Sequence, residues 1–514
     1  MELTSSLLSW QSIALTAVLY FSTLAFYRLY LHPLAKFPGP KLAAITRYYE
    51  AYYDIIKNGQ YTFKIADMHK KYGPIIRISP YELHINDPSY FEKLYCHSGG
   101  KWNKYDWAVD AQCAIGAIIF TPDHDRHKAR RLPLNAYFSK ANIFRHKDLI
   151  VAKVDKLCSR IAEFSGTGRI IDLGAAISAF QRDVSTEFVL GKDYKNLDQD
   201  DFGVGMTLVF HGGGAMWRLT KHIRWYGPAM LAIPKDFLIK NAGPNTANFM
   251  RYAQDSEHET ARLLEAAATY KPGGDDGQRR TIVHEIFDSD LLEEDKSVAR
   301  VFADVATVTG AGFETTASVL RLIVYHVFSN PAILGRLRDE LAHATSGSDD
   351  GSSTLPLQTL EQLPYLTAVL MEGMRLSPAL ATRLQRIAPD RELIYDRYRI
   401  PAGTPVGMTT LLMHMDERLY PEPHRFEPER WVDPEARKKT EKTYAPFSRG
   451  TRICLGMHLA WAEVYLVMAA LLQKFDFDFE GLTHEDHFEV MSDQFIISTK
   501  GKAVLQACVS HRMA

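Results

Sequence analysis

Between Glu2 and Arg28 no side chain carries a charge, and the intervening stretch, LTSSLLSWQSIALTAVLYFSTLAFY, is apolar enough to be read as a helix. Its length suffices to cross the roughly 30 Å hydrocarbon core of a bilayer. Trp10 lies near one end and Tyr27 and Tyr30 near the other, where amphipathic rings suit the two interfaces, while Arg28, His32, Lys36 and Lys41 follow on the C-terminal side. The pattern predicts one membrane span with the rest of the chain facing the cytosol. A cleaved signal peptide would instead place positive charge ahead of a shorter apolar run. Pro33, Pro38 and Pro40 then interrupt any helix. The expected organisation is an anchor over residues 1–30, a proline-rich linker over 31–42 and one large domain over 43–514.

Helical periodicity dominates that domain. Lys296 to Phe328 is apolar on nearly every face, as a helix through the centre of a large protein would be. Gly73–Asp87 and Arg391–Met408 alternate apolar and polar residues around turns and read as strand pairs. Tyr270–Gln278 and Thr345–Thr354, rich in Gly, Ser and Asp, read as solvated loops. The fold class is therefore mainly α with small β elements.

Composition adds little. A formal net charge of -1 across 514 residues gives no reason to expect a nucleic-acid partner. The five cysteines are widely spaced with no C-x-x-C pair, which supports neither a disulfide framework nor a structural zinc site. HGGG (His211–Gly214) imitates a lipase oxyanion motif, but the chain contains no G-x-S-x-G nucleophile elbow, and the glycines read as a flexible break within or after a helix. GAGFET (Gly310–Thr315) lacks the third glycine of a dinucleotide loop and lies inside a helix. His124 and His127, with no further ligand nearby in sequence, read as ordinary surface residues.

The informative stretch is FSRGTRICLG (Phe447–Gly456). Its cysteine, Cys454, could pack inertly, act as a nucleophile or bind a metal. Binding an iron porphyrin through sulfur needs a thiolate, a thin loop and donors for the propionates. Gly450 and Gly456 allow close backbone approach, Arg452 supplies a cation, and the helix predicted over Met457–Phe475 begins at once, which should lower the thiol pKa. This segment resembles the haem-binding signature F-x-x-G-x-R-x-C-x-G of the cytochrome P450 family, filled at Phe447, Gly450, Arg452, Cys454 and Gly456.

Further motifs follow in the family's order. Glu372 and Arg375 in MEGMR resemble its E-x-x-R pair, and Arg430 in FEPERW its third member, together implying a buried triad behind the haem loop. AGFETT (Ala311–Thr316) resembles the oxygen-activation stretch: Ala311 and Gly312 are implied to leave room for dioxygen, and Thr315 with Glu314 to pass protons. His127 and Arg131 occupy the W-x-x-x-R positions, histidine replacing tryptophan, and are implied to contact a propionate, as is Arg386, with Arg383 competing. The resemblance implies haem b with Cys454 as axial ligand, a single cytochrome P450 domain, and insertion of one oxygen atom from dioxygen into a C–H bond. Electrons would come from NADPH through a membrane-bound P450 reductase, or through cytochrome b5, with Ala436–Lys442 and Arg449 offering positive charge for docking. The endoplasmic reticulum membrane is the implied location. Likeness to filamentous-fungal members similar to trichodiene oxygenase implies a lipophilic substrate such as a terpenoid, polyketide or alkaloid. By the same analogy it would be lined by Trp102–Ile119, Ala306 and Gly310, Ala379–Leu384 and Gln494–Ile496, with Trp225–Pro234 dipping into the bilayer. A haem-thiolate isomerase or dehydratase would usually lack the acid and threonine, and a haem sensor would hardly keep the whole oxygen-activation helix.

Overall fold

The uncharged N-terminal run is helical: α1 (Trp10–Phe26) continues through a π turn, Tyr27–Leu31, giving 22 residues of mean hydropathy 1.4 with none buried. The chain is described by a computed structural model over residues 10–96, 100–114, 116–269, 279–346 and 355–512. The end of this helix is fastened to the body. Arg28 donates to the Ile45 carbonyl (2.5 Å) and the Tyr81 hydroxyl (2.6 Å), and Arg77 donates to the Arg28 carbonyl (2.7 Å). Residues 31–42, expected as a linker, also pack into the fold, because Leu34 and Phe37 between the prolines are buried and the Phe37 ring stacks on Tyr398 at 5.2 Å. Gly39, at φ +153°, runs so close to the neighbouring strand that a Cβ would lie 2.5 Å from the Arg77 carbonyl oxygen.

The strand pair predicted in Gly73–Asp87 forms as β1 (Ile75–Arg77) and β2 (Leu83–Ile85), antiparallel with Ile76 opposite His84. They join β3 (Arg386–Ile387) and β4 (Pro405–Gly407) in one sheet of order β1-β2-β4-β3, in which β2 and β4 run parallel. The pair predicted in Arg391–Met408 is therefore only partly right. Leu393–Tyr395 and Tyr398–Ile400 form a hairpin, whereas Pro405–Gly407 leaves to pair with β2 and β3.

Five long helices position the site: α2 (Leu173–Leu190), α3 (Val204–His222), α4 (Val298–Phe328), α5 (Pro364–Leu376) and α6 (Met457–Lys474). Helix α4 matches the predicted central helix, starting two residues late at its Ser297 cap. The HGGG stretch is not a break: α3 runs through it uninterrupted. Glycine in a helix costs up to about 1 kcal/mol relative to alanine, but a Cβ on Gly214 would lie 2.5 Å from the Gln494 side chain, so tertiary packing selects the small residue. Of the two predicted loops, Tyr270–Gln278 lies outside the described residues; Thr345 and Ser346 end the helix Pro331–Ser346, and the remainder of that loop lies outside them too.

Behind the sheet, His69 Nδ1 donates to the Gly73 carbonyl (2.8 Å), which leaves Nε2 to accept from His84 Nδ1 (2.7 Å) and His84 Nε2 to accept from the Thr409 hydroxyl (3.0 Å). Burial lowers the pKa of His69 to about 4, that of His84 well below its ordinary 6.5, and that of His414, beside the Arg375 charge, to about 3. All three are neutral when folded and charge when unfolded. Stability is therefore unaffected above about pH 6.5 and falls as pH drops below it, by about 1.4 kcal/mol per histidine at a pH of about 5.5, or roughly 4 kcal/mol in total. Chemical denaturation at neutral and at that lower pH measures this loss; equal unfolding free energies would contradict it.

Candidate active site

Helix α4 is buried along most of its surface, yet Ala306 and Ala311 at mid-helix are exposed, and Thr307, Gly310 and Thr315 beside them are half-buried. These positions recur every three or four residues, so one face of the central helix borders an internal cavity. Cys454 has the same character. Its side chain is open to solvent, yet enough protein surrounds it that burial raises the thiol pKa above its ordinary value. The sign is opposite to that expected from the helix terminus: the Gly456 N–H and the Arg131 charge favour the thiolate, but burial outweighs them. A cationic metal at the sulfur would reverse the balance.

The loop around Cys454 is shaped by its glycines. Gly450, at φ +71°, passes so close to the helix end at Tyr95 that a Cβ would lie 1.9 Å from the Tyr95 carbonyl oxygen. The Phe447 carbonyl accepts from the Cys454 N–H (2.9 Å) and closes the loop, while the Phe447 ring leans on Trp461 of α6 at 6.3 Å. At Gly456, immediately before α6, a Cβ would meet nothing within 4 Å, leaving open space next to the residue whose N–H bonds the sulfur.

Four cations gather beside this loop. Arg452 donates to the Thr121 (2.7 Å) and Pro122 (2.8 Å) carbonyls, which open the helix His124–Tyr137 carrying His127 and Arg131. Burial and then the charges of Arg386 and Arg131 lower its pKa to about 9. His127 is buried and not a surface residue; burial and the charges of Arg452, Lys104, Arg131 and Arg386 lower its pKa to about 2. Lys104 is held well below its ordinary value by burial and by the same three arginines. Among the described residues, none of Lys104, Arg131, Arg386 and Arg452 is in an ion pair. So many buried like charges are costly unless an anion completes the site. Arg383 does not belong to this cluster: it pairs with Glu82 (2.6 Å) and Glu50 (2.8 Å) beside Lys221. Lys104 was missed in the sequence because it lies in an irregular stretch without periodicity, where no motif marks it.

Glu372, Arg375 and Arg430 meet as expected. Arg375 grips Glu372 with two hydrogen bonds of 2.8 Å, and Arg430 Nε lies 3.3 Å from the same carboxylate. Two further donors escaped the sequence reading, the Trp431 indole N–H and the Glu427 backbone N–H, both at 2.9 Å. Arg375 spends its remaining N–H groups on the carbonyls of His414, Pro423 and Arg425, tying α5 to the segment that leads into the cysteine loop.

The oxygen-activation stretch divides differently from expectation. Ala311 and Thr315 face the cavity, the Thr315 hydroxyl donating to the Ala311 carbonyl (2.7 Å). Gly312 does not open space there: a Cβ would lie 2.2 Å from Ser185 Oγ, so its smallness lets α2 approach α4. The Glu314 carboxylate is also turned away from that face. It accepts from Arg321 (3.0 Å) and lies 3.3 Å from His211; burial would raise its pKa, but these partners lower it to about 2. Arg321 reaches it from two turns further along α4. Of the expected substrate-lining stretches, Ala379–Leu384 and Gln494–Ile496 do meet, through the Leu380–Ile496 bridge and the Ala381 N–H to Phe495 carbonyl bond (3.2 Å).

Open space at a cysteine, cations gathered beside its loop and a lined groove on the central helix fit a haem with its two propionates; Cys454 would hold the iron and the cation cluster the carboxylates. The family model for cytochrome P450 matches residues 51–505. The chain is 39% identical to a cytochrome P450 monooxygenase of Cochliobolus heterostrophus over 468 residues, covering 90% of this chain and 87% of that one. It is 36% identical to the N-acetyltryptophan 6-hydroxylase of Emericella nidulans over 498 residues, 96% of each. It is 35% identical to the cytochrome P450 monooxygenase TRI4 of Fusarium sporotrichioides over 475 residues, 92% of this chain and 90% of that one. The chain belongs to the cytochrome P450 family of monooxygenases.

Proposed function

We propose that the protein hydroxylates a lipophilic fungal secondary metabolite of terpenoid, polyketide or alkaloid type, with electrons from NADPH through a P450 reductase. The observation that carries this reading is the open Cys454 next to the cation cluster, opposite in kind to the apolar cavity face of α4. When bound, the haem supplies the activation of dioxygen. The protein's own part is to hold and to exclude: Arg131, Arg386, Arg452, Lys104 and His127 fix the carboxylates, and Phe447 and the Gly450 turn fix the sulfur. Ala306, Gly310 and Ala311 leave room for an apolar substrate, and Thr315 presents hydroxyl lone pairs to it. Relatives named for tryptophan and N-acetyltryptophan hydroxylation make an aromatic C–H bond a reasonable target as well.

Membrane attachment belongs to the same proposal. Besides α1, Tyr48, Tyr52 and Ile56 are exposed on the N-terminal helices, and Trp225, Leu231 and Phe237 after α3. Lys221 and His222 at the end of α3 bond Asp54 (2.6 and 2.9 Å), joining the two groups into one apolar face beside the anchor, suited to an endoplasmic reticulum bilayer. Lys438 and Lys439, exposed near the cysteine loop, suit an acidic reductase surface, whereas Arg449 is occupied with the Tyr444 and Glu441 carbonyls.

The purified protein, reduced and treated with carbon monoxide, should show the Soret band of thiolate-ligated haem. Its absence would overturn the proposal.

A further inference from the structure

A cavity of about 470 Å³ between the proline-rich segment, β1 and the hairpin 393–400 has no role in the reading so far. Its volume is within the range of about 300–1,000 Å³ typical of small-molecule sites. Four tyrosines line it, Tyr72, Tyr90, Tyr395 and Tyr398. The Tyr395 hydroxyl donates to Asp87 (2.9 Å), its ring meets Tyr90 edge-on at 5.2 Å, and Phe37 stacks on Tyr398, so the rings are held in place. Charges of both signs stand at the rim, all exposed: Lys93, and Asp396 and Arg397 on the hairpin turn. Among the described residues none of the three is in an ion pair. The two cations lie over rings instead, Lys93 Nζ 5.8 Å from the centre of Tyr90 and Arg397 Cζ 5.4 Å from that of Tyr398. The cavity also adjoins the end of α1. Pro38 forms part of its wall, and Arg77 joins that wall to the apolar helix: its backbone N–H donates to the Pro38 carbonyl (2.7 Å) and its guanidinium to the Arg28 carbonyl (2.7 Å). Headgroups occupy about 5–8 Å of each leaflet beyond the hydrocarbon. A site one arginine side chain from the end of the span falls in that layer.

We propose that this cavity binds the phosphocholine headgroup of a membrane lipid, with the phosphate at Lys93 and Arg397 and the trimethylammonium among the tyrosine rings beside Asp396. The inference rests on the membrane-attachment reading above. Lysine and arginine hold phosphate oxygens through charge-assisted hydrogen bonds. A quaternary ammonium has no N–H to donate and is held by aromatic faces. A purely anionic ligand would leave the four rings and Asp396 unused, and a simple cation would leave both basic side chains unpaired; the zwitterion uses all of them. Ile394, 59% exposed on the rim, is an apolar side chain of the kind that suits the boundary where acyl chains begin. With α1 as one tether and the bound headgroup as a second, the body has two fixed points on the bilayer, which together decide which of its faces meets the membrane.

The test uses the full-length holoenzyme in a detergent without a choline headgroup, titrated calorimetrically with soluble phosphocholine. Binding should saturate and be roughly tenfold or more tighter than that of choline or of inorganic phosphate alone. Lys93→Gln combined with Arg397→Gln should weaken it roughly tenfold or more. Asp396→Asn, which keeps a residue tolerant of the left-handed backbone at that turn (φ +49°), should weaken it several-fold. All three side chains are exposed, so the carbon monoxide band and the melting temperature should not move. In nanodiscs, phosphatidylcholine carrying a photoreactive headgroup should label residues 72–93 or 394–398, and the double variant should escape labelling. No saturable binding, either fragment binding as tightly as phosphocholine, absent labelling, or labelling unchanged by the double substitution overturns this inference alone. Failure of the full chain to enter nanodiscs overturns the membrane reading and this one with it.

Discussion

Glu372→Ala should be recovered, if at all, without haem and largely unfolded. The carboxylate accepts from Arg375, Arg430, Trp431 and the Glu427 backbone, and both it and Arg375 are wholly buried. Alanine leaves the Arg375 charge in protein interior without its counter-ion and the Trp431 N–H with nothing to accept from it. Breaking a buried pair from one side costs about 3–5 kcal/mol. Folded domains are stable by only about 5–15 kcal/mol. Arg375 also holds the carbonyls of His414 and Pro423, and His414 in turn accepts from the Ala445 N–H, two residues before the cysteine loop begins. The loss therefore travels directly to the segment that positions Cys454. The measurement is the haem-to-protein ratio together with the melting temperature. A variant with a full haem complement and an unchanged melt would contradict the assignment.

Arg386→Leu should act in opposite directions on the haem-free and haem-bound protein. Arg386 is buried, among the described residues donates only to the carbonyl of its neighbour Gln385, and lies over the Tyr95 ring at 5.0 Å. Burial lowers its pKa, and its charge in turn depresses those of Arg452, His127 and Lys104. Without an anion, exchanging this charge for leucine should stabilise the fold by on the order of 1–4 kcal/mol, as when buried charges are replaced by apolar groups. With a propionate present, the same change removes a charge-assisted hydrogen bond of about 1.5–3 kcal/mol, and haem should leave roughly 10- to 100-fold faster. Melting of the haem-free protein and haem transfer to a scavenging apoprotein measure the two effects. If both fall together, Arg386 has a structural role and not an anion-holding one. Arg383→Leu is the contrast: paired with Glu50 and Glu82, it should destabilise the haem-free fold as well.

The sequence disclosed those features in which local pattern and chemistry coincide. An uncharged run of sufficient length, the periodicity of α4 and the glycines around Cys454 each follow from short-range rules, and the structure contains each of them. It failed where a partner distant along the chain decides the outcome. Gly312 reads from sequence as a cavity residue but serves the contact with Ser185, because nothing local distinguishes a glycine needed by a neighbouring helix from one needed by a ligand. The HGGG stretch read as a break, yet Gln494, 280 positions after Gly214, makes the small residue necessary inside a helix. Lys104 carried no signal, since its meaning comes only from arginines contributed by three separate segments.

What the residues fix unaided is the apolar N-terminal helix, the helical character of the body and the identity of the sulfur-bearing loop, since each depends on interactions within one or two turns. Which arginine is free and which is paired, which side of α4 each of its polar groups faces, and where His211 finds its acid are decided by packing. Charge is a property of a residue, but its cost in the interior depends on what the fold brings within a few ångströms of it.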